Sequence, residues 1–328
     1  MIKVRFWGVR GSIPSPGPQT IKYGGNTACI ELCFPEVNRR IILDAGSGIR
    51  GLAAHILQQD LARGPVATEI FLTHTHWDHI MGFPFFTPAY MPETRLKILG
   101  PVARGEDSLA DIIGSQMKYH YFPVDMAEMA ANISYERLQE NARIDIGDGI
   151  MLATAALNHP ITTLGYRFTY RGTVFCTAYD TEPLSDSALT PLSHPTCEDQ
   201  TATQEENAAL LQNQAIEDFF AGADLLVHDA QYTMQEYQDG KIGWGHSPME
   251  HAIITARRAG VKRLALFHHD PDRSDAELDE LGRTYCNFCP GEPGQQGDKN
   301  NSYHYHGTAL NHTTEIFFAR EGMEIEIE

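Results

Sequence analysis

The sequence predicts an α/β fold, a four-layer αββα sandwich in which helices flank two mixed β-sheets. Two observations predict it. Short apolar, strand-like runs alternate along the chain with stretches of helical periodicity. Runs that follow one another directly, without an intervening helix, are succeeded by strand–helix units, an order that favours two mixed sheets with the helices packed outside.

The individual elements follow from their residue patterns. The segment 49–62 has apolar residues at helical spacing and ends at Gly64. The segment 205–221 has one apolar face. A further helix is expected to begin at Ser247, where Ser-Pro-Met-Glu forms a capping box, and to stop at Gly260. Strands are expected at 2–7, 28–34, 40–44, 68–73, 95–99, 150–156, 164–170, 173–178, 224–228, 263–267 and 315–327.

Length and composition favour one domain with a large core. The chain has 328 residues, 42% of them hydrophobic, so we expect a single domain over 1–328 with a Gly-rich, polar insertion at about 282–312. The first residues enter a strand at once and lack the regions of a signal peptide. No apolar run approaches the ~18 residues that a membrane span requires. The six cysteines are scattered, which predicts reduced thiols and a cytoplasmic location.

The charge balance limits the class of partner. A formal net charge of -18 argues against a protein that binds long nucleic acid through its surface. It does not exclude a small anionic substrate, because bound dications dominate the local field. We therefore expect a small-molecule substrate, no long nucleic acid and no membrane, while a homodimer is left open.

Residues 73–79, Thr-His-Thr-His-Trp-Asp-His, directly follow an apolar, strand-like run. Neutral imidazole and carboxylate are ligands for first-row metals such as zinc, manganese and iron. In an extended segment, His74, His76 and Asp78 point to the same side. His79 joins them only if the chain turns there into a helix. The cluster therefore predicts metal binding, and its two pairs of ligands suit two ions better than one.

Further candidate ligands come directly after other strand-like runs, where rigid scaffolds present catalytic groups. A single His or Asp in such a place is more often a turn or cap residue. Several of them beside the first cluster favour a shared site, and they are Asp44, His159, Asp180, Asp229 and His268.

These residues, in this order, resemble the ligand pattern of the metallo-β-lactamase superfamily. Within it, the chain is similar to the ribonuclease Z and cyclic phosphodiesterase branch. Residues 6–12 and 23–29 resemble that branch's first hairpin, and Gly245-His246-Ser247 resembles its His-Ser-Thr segment. His228-Asp229-Ala230 stands where the branch has His-Glu-Ala, so Asp229 is shorter than the family's Glu. The long Gly-rich and basic arm by which ribonuclease Z binds transfer RNA is absent.

The resemblance implies two divalent cations, with Zn²⁺ favoured over Mn²⁺ or iron. One ion would be held by His74, His76 and His159, the other by Asp78, His79 and His268, and Asp180 would bridge both. Asp44 is expected to orient a histidine ligand rather than to bind metal.

Three residues are expected to act in catalysis: Asp78, His246 and Asp229. His246, positioned by Asp229, is the candidate general acid for a departing alkoxide. The alternative is that His246 only precedes a helix cap.

Other residues near these motifs are open to more than one interpretation. His269 either contacts a phosphate or faces solvent, and a structural role is favoured for Arg10 and Asn26. The aromatic-rich segments 81–86 and 119–123 could stack a base or line a pocket, although core packing is favoured.

Two polar segments are expected to lie outside the main site. The insertion at 282–312 contains Cys286-x-x-Cys289 and His304-x-His306, for which a flexible loop is favoured over a zinc knuckle. The stretch 185–204 is expected to be a surface loop.

The first functional hypothesis is a dinuclear metal-dependent phosphodiesterase that uses a metal-bridging hydroxide on a small ester, such as a cyclic nucleotide or cyclic sugar phosphate. The alternatives are hydrolysis of a lactam, lactone or thioester by the same hydroxide, and a non-hydrolytic di-iron redox or oxygen-binding protein. The pair Asp229 and His246 favours the first, because an alkoxide leaving group benefits from a proton donor. His76, where di-iron redox relatives commonly carry Glu, argues against the third.

Overall fold

The computed structural model describes residues 1–60, 65–102, 107–184, 204–288 and 314–328. Its strands are β1 (Ile2–Gly8), β2 (Cys29–Phe34), β3 (Arg39–Leu43), β4 (Ala67–Phe71), β5 (Arg95–Gly100), β6 (Asn132–Arg137), β7 (Arg143–Asp145), β8 (Ile150–Leu157), β9 (Thr163–Tyr170), β10 (Thr173–Ala178), β11 (Leu225–Asp229), β12 (Arg263–Phe267), β13 (Glu315–Phe318) and β14 (Glu324–Ile327). Its α-helices are α1 (Ile49–Asp60), α2 (Trp77–Ile80), α3 (Leu109–Ser115), α4 (Gln204–Phe220), α5 (Met234–Gln238), α6 (Met249–Arg258) and α7 (Asp275–Tyr285).

The strands form two seven-stranded mixed sheets. The first has the order β14-β1-β2-β3-β4-β5-β6 and the second β13-β12-β11-β10-β9-β8-β7. Neighbours from β3 to β6 and from β10 to β13 are parallel, and the other pairs are antiparallel. Parallel strands end at the same edge of a sheet, so the loops that follow them can meet there.

The core lies in three layers between the sheets and the helices. Alternate residues of one strand belong to different layers, as expected for strands buried on both faces. In β3, Ile41 packs between the two sheets, whereas Ile42 packs in the cluster that contains α1. In β11, Val227 lies between the sheets and Leu226 in the cluster that contains α6. The predicted four-layer αββα sandwich is confirmed.

Several predicted boundaries are wrong. Strands β6 and β7 were not expected, because they are edge strands whose residues are exposed or half-buried and lack an apolar run. The single strand expected at 315–327 is two strands in different sheets, β13 and β14, with Gly322 between them at a φ of 77°.

The capping box expected at Ser247 is also wrong. Helix α6 has Pro248 as its N-cap, without a side-chain cap hydrogen bond. Ser247 Oγ instead donates to Thr181 O at 2.6 Å, and Glu250 accepts from Met234 N and the Tyr285 hydroxyl. Both side chains are used in tertiary contacts that a local pattern does not show.

Two further observations concern the ends of elements. Residues 282–285, expected to open the insertion, continue helix α7, which begins with a capping box of Ser274 and Glu277. The rest of the insertion from 289 to 312, and the stretch 185–203, lie outside the described residues. Among the residues that are described, no helix is both long and apolar enough to cross a bilayer.

Candidate metal centre

The candidate ligands lie where strands of the two sheets end. Asp44 follows β3, Asp180 follows β10 and His268 follows β12. These three residues have φ values of 59°, 23° and 60°. Positive φ is unfavourable for residues other than glycine and persists where the surroundings over-determine it, often at functional sites. The backbone therefore turns sharply at each strand end, at the positions of the candidate side chains.

One group of potential ligands contains His74, His76, His159 and Asp180, whose ligand atoms lie within 4.8 Å of one another. His159 Nδ1 donates to Gly245 O at 2.8 Å, which leaves His159 Nε2, 2.9 Å from His76 Nδ1, without a proton. Burial lowers the pKa of His76 and of His159 to about 4. Both rings are therefore neutral near pH 7, the form in which imidazole binds a metal.

A second group contains Asp78, His79, Asp180 and His268. Asp180 Oδ1 lies 3.2 Å from both His79 Nε2 and His268 Nε2. Asp78 Oδ2 lies 3.3 Å from His79 Nε2 and 3.2 Å from His268 Nε2. Asp180 belongs to both groups, which is the position that a bridging ligand requires.

The charges and the unpaired polar atoms of the centre are those expected of a site that binds cations. Burial by itself would raise the pKa of Asp180, but the neighbouring histidines, His268 foremost, hold it well below its usual range. Burial by itself would lower the pKa of His79, but the surrounding aspartates, Asp180 foremost, raise it well above 6.5. His74 Nε2 and Asp180 Oδ1 are buried without a hydrogen-bond partner among the described residues. Buried polar atoms are rarely left unpaired, so this pattern points to a bound ion.

Asp44 occupies an orienting position behind the second group. Its carboxylate accepts from His79 Nδ1 at 2.7 Å, from Thr73 N at 2.7 Å and from Thr73 Oγ1 at 2.8 Å. A carboxylate on the second ring nitrogen fixes the tautomer and orientation of a metal-binding histidine. The side chain of Asp44 is fully buried and directed at His79, which leaves His79 Nε2 to face the centre.

His246 lies next to this centre and is held by Asp229. Despite the shorter side chain, Asp229 Oδ2 reaches His246 Nδ1 at 3.0 Å. Ser247 N and Thr181 N also donate to Asp229 Oδ2, both at 3.2 Å. Burial by itself would lower the pKa of His246, but the charge and hydrogen bond of Asp229 outweigh it and raise the pKa to about 9. The imidazole is therefore protonated near pH 7 and can act as an acid.

Glu182 supports the loop in front of His246, a role that no sequence motif indicates. Its carboxylate accepts from the Tyr237 hydroxyl at 2.7 Å, from Gly243 N at 2.6 Å and from Gly245 N at 2.9 Å. Gly245 O in turn accepts from His159 Nδ1. Glu182 thus connects the loop that carries His246 to a candidate ligand of the first group.

Two glycines allow close approach to candidate ligands. A Cβ on Gly11 would lie 2.4 Å from Nδ1 of His268, and one on Gly245 would lie 2.4 Å from Nδ1 of His159. Gly245 also has a φ of 85°. The next residue after Gly11, Ser12, donates its backbone N–H to Asp78 Oδ2 at 2.7 Å. In the sequence, Gly11 and Gly245 stand out only as parts of the segments that resemble the family.

Other residues named from the sequence have structural roles. His269 is buried, and its Nε2 donates to Ala319 O at 2.8 Å, so the alternative that it faces solvent is wrong, while a contact with a phosphate stays a prediction. Arg10 is buried and donates to the carbonyls of Gly24, Asp270 and Arg273. Asn26 Nδ2 donates to Glu321 at 2.9 Å. Cys289, His304 and His306 lie outside the described residues.

The structure thus brings together all seven predicted metal ligands and places the His246–Asp229 pair beside them. Which ions these residues bind stays a prediction.

Comparison with known proteins extends the similarity beyond the site. Residues 39–197 match the beta-lactamase superfamily domain. A ribonuclease Z of Lactococcus lactis subsp. lactis (strain IL1403) is 25% identical over 296 residues, which cover 81% of this chain and 88% of the relative. The resemblance inferred from the sequence motifs is confirmed.

Solved structures share the fold. The metallo-beta-lactamase fold protein YhfI from Bacillus subtilis superposes with a TM-score of 0.60 at 17% identity and covers 99% of this chain and 98% of its own. The short form of human tRNase Z gives a TM-score of 0.58 at 18% identity, with 99% of each chain covered. The chain therefore shares the fold of metallo-beta-lactamase fold proteins, matches the beta-lactamase superfamily domain over residues 39–197, and is similar to ribonuclease Z over most of its length.

Proposed function

We propose that this protein is a dinuclear metal-dependent phosphodiesterase that acts on a small phosphodiester. The observation that carries the proposal is the His246–Asp229 pair, 3.0 Å apart, beside two groups of potential ligands that share Asp180. Two divalent ions in such groups supply Lewis acidity and lower the pKa of water, the chemistry that phosphodiester hydrolysis needs.

The first ion would be held by His74, His76 and His159, the second by Asp78, His79 and His268, and both by Asp180. Five of the seven side chains are fully or almost fully shielded from solvent, those of His74, His79, His159, Asp180 and His268. This shielding strengthens electrostatic stabilisation of charge that develops on the phosphoryl group.

His246 acts on the leaving group. Asp229 accepts from Nδ1, which leaves Nε2 of the protonated ring to donate to the departing alkoxide oxygen. Hydrolysis of a thioester has less need of this acid, because a thiolate is much less basic than an alkoxide and departs without a proton. The His246–Asp229 pair therefore supports the phosphodiester over a thioester, and the lactam is left to the substrate panel.

The size of the substrate is a separate part of the proposal. The relative is named ribonuclease Z and the human neighbour tRNase Z, names that indicate RNA substrates for those proteins and stand against the expectation of no long nucleic acid. The net charge of -18 supports a small phosphodiester. RNA processing is the second candidate function.

The test combines metal analysis with a substrate panel. Purified protein reconstituted with zinc should hold two ions per chain and should hydrolyse small phosphodiesters but not lactams or thioesters. His246→Ala should lower turnover of an alkyl diester far more than turnover of a nitrophenyl ester, since nitrophenolate departs without protonation. Equal losses on both esters would contradict the acid role. Efficient, site-specific trimming of precursor tRNA at ordinary salt would replace the small substrate with RNA.

A further inference from the structure

Several exposed aromatic and large aliphatic side chains lie on segments that carry or contact residues of the candidate metal centre. Ten large hydrophobic side chains are exposed among the described residues, and seven of them belong to such segments, which hydrogen bonds and ring contacts connect to the centre. We call these seven the aromatic rim: Ile13, Trp77, Phe85, Tyr119, Tyr121, Ile242 and Trp244. Single exposed hydrophobic residues are ordinary, but a concentration of them beside a polar centre indicates a binding surface.

Trp77 is one exposed indole of the rim. It stands between the candidate ligands His76 and Asp78, and the residue is 67% exposed. Ile80, at the end of the same short helix, accepts through its carbonyl from Gln116 Nε2 at 3.0 Å. This bond ties α2 to the end of α3, shortly before Tyr119 and Tyr121. Trp77 is thus exposed on a backbone that the neighbouring segment holds in place.

Trp244 is the second exposed indole of the rim. It is 56% exposed and lies between Gly243 and Gly245, whose N–H groups both donate to Glu182. The ammonium of Lys241 lies 3.9 Å from the centroid of the Trp244 ring, a cation–π contact. The loop that presents this indole is therefore anchored, and it has a positive charge directly over the ring.

The two tryptophans are connected through the first group of ligands. His76, next to Trp77, has its Nδ1 2.9 Å from His159 Nε2, and His159 Nδ1 donates to the carbonyl of Gly245, next to Trp244. Each indole is therefore one residue away from a group that contacts His159. Both exposed indoles are therefore adjacent in the chain to residues that hold or contact the first group of ligands.

We propose that the aromatic rim binds the base of a nucleoside-bearing phosphodiester, with Trp77 and Trp244 as its stacking residues. This inference rests on the proposed function, because it places the phosphodiester at the metal centre. Aromatic side chains stack on any base through its flat face, and Lys241 adds a positive charge suited to an anionic ligand. A second copy of the chain fits less well, because two copies of formal net charge -18 repel each other.

Binding can be measured without turnover. The chain has three tryptophans, and Trp7 differs from the other two because its Nε1 donates to Glu31 at 3.0 Å away from the rim. AMP should quench the fluorescence of the Trp7→Phe variant as it does in the unmodified protein, whereas ribose 5-phosphate should not. Trp77→Phe and Trp244→Phe should each lose part of the quenching. Equal quenching by ribose 5-phosphate, or none by AMP, would overturn the base site and leave the phosphodiesterase proposal standing.

Kinetics on two matched esters give the second readout. Thymidine 5′-(p-nitrophenyl) phosphate and methyl p-nitrophenyl phosphate share a leaving group and differ in the nucleoside. Trp77→Ala and Trp244→Ala should each raise the KM ratio of the thymidine ester to the methyl ester roughly tenfold, the size of effect expected for one base stacked on an aromatic ring. Ile21→Ala, an exposed hydrophobic residue outside the rim, is the control and should leave the ratio unchanged.

The same variants distinguish the possible sources of the base. If the base belongs to RNA, a short oligoribonucleotide diester should have a lower KM than the thymidine ester and should show the same dependence on Trp77 and Trp244. If it belongs to a mononucleotide, the KM of the oligoribonucleotide should be no lower than that of the thymidine ester. An unchanged KM ratio together with a change of sedimentation in Trp77→Ala would identify the rim as a self-association surface and would refute the base site. Absence of turnover on both esters in the unmodified, zinc-loaded protein would mark failure of the proposed function instead.

Discussion

A single methyl group at Gly11 should disable the second half of the metal centre. Gly11 packs against the ring of His268, and a Cβ at residue 11 would lie 2.4 Å from both Cε1 and Nδ1 of that ring. Non-bonded carbon atoms approach to roughly 3.5–4.0 Å, so either the ring or the backbone must move by about 1 Å.

His268 has little room to move. Its side chain is fully buried, and its ring stacks at 22° against His79 on one side and His246 on the other. Metal–ligand distances tolerate deviations of only about 0.2 Å. A shift of about 1 Å therefore removes His268 from coordination, and a misplacement of that size lowers turnover on the order of 100-fold.

The assay is a competitive zinc titration of Gly11→Ala combined with turnover of a phosphodiester. We expect one tightly bound ion per chain, a second bound at least tenfold more weakly, and kcat lowered about 100-fold. Gly17→Ala is the matched control, because a Cβ at Gly17 has nothing within 4 Å. Two tightly bound ions and ordinary turnover in Gly11→Ala would refute the assignment of His268 to the centre.

Two other changes test the groups that surround the ligands. Glu182→Gln replaces one carboxylate oxygen by an amide nitrogen, which cannot accept the hydrogen bonds of its N–H and O–H donors. The zinc affinity of the ligand group that contains His159 should therefore fall about 10-fold to 100-fold. The control Glu277→Gln alters only the α7 capping box, and equal zinc affinities in the two variants would contradict the role of Glu182. Asp229→Asn removes the charge that raises the pKa of His246 to about 9. Because the acid must be protonated, the alkaline fall of kcat on an alkyl diester should move to lower pH, and an unmoved pH profile would exclude His246 as the acid.

Much of the fold could be read from the sequence, because its signals are local. Apolar runs such as Ile41–Leu43 and Leu225–Val227 became strands buried on both faces. Edge strands β6 and β7 could not be predicted from the sequence, because a strand with one face open to water contains no continuous apolar run. Ser247 and Glu250 match a capping box locally, but tertiary partners compete for both side chains.

By itself, the sequence determined which residue types stand at the strand ends, including all seven potential metal ligands and the His246–Asp229 pair. Only the tertiary structure decided the support behind them. Glu182 and its partner Gly243 are 61 positions apart. Gly11, which follows a strand of one sheet, lies against His268, which follows a strand of the other sheet. A ligand motif can be recognised in a sequence because its chemistry needs particular side chains at short spacing. A carboxylate that accepts from backbone N–H groups, or a glycine that leaves room for a ring, is specified only by the partner that folding brings next to it.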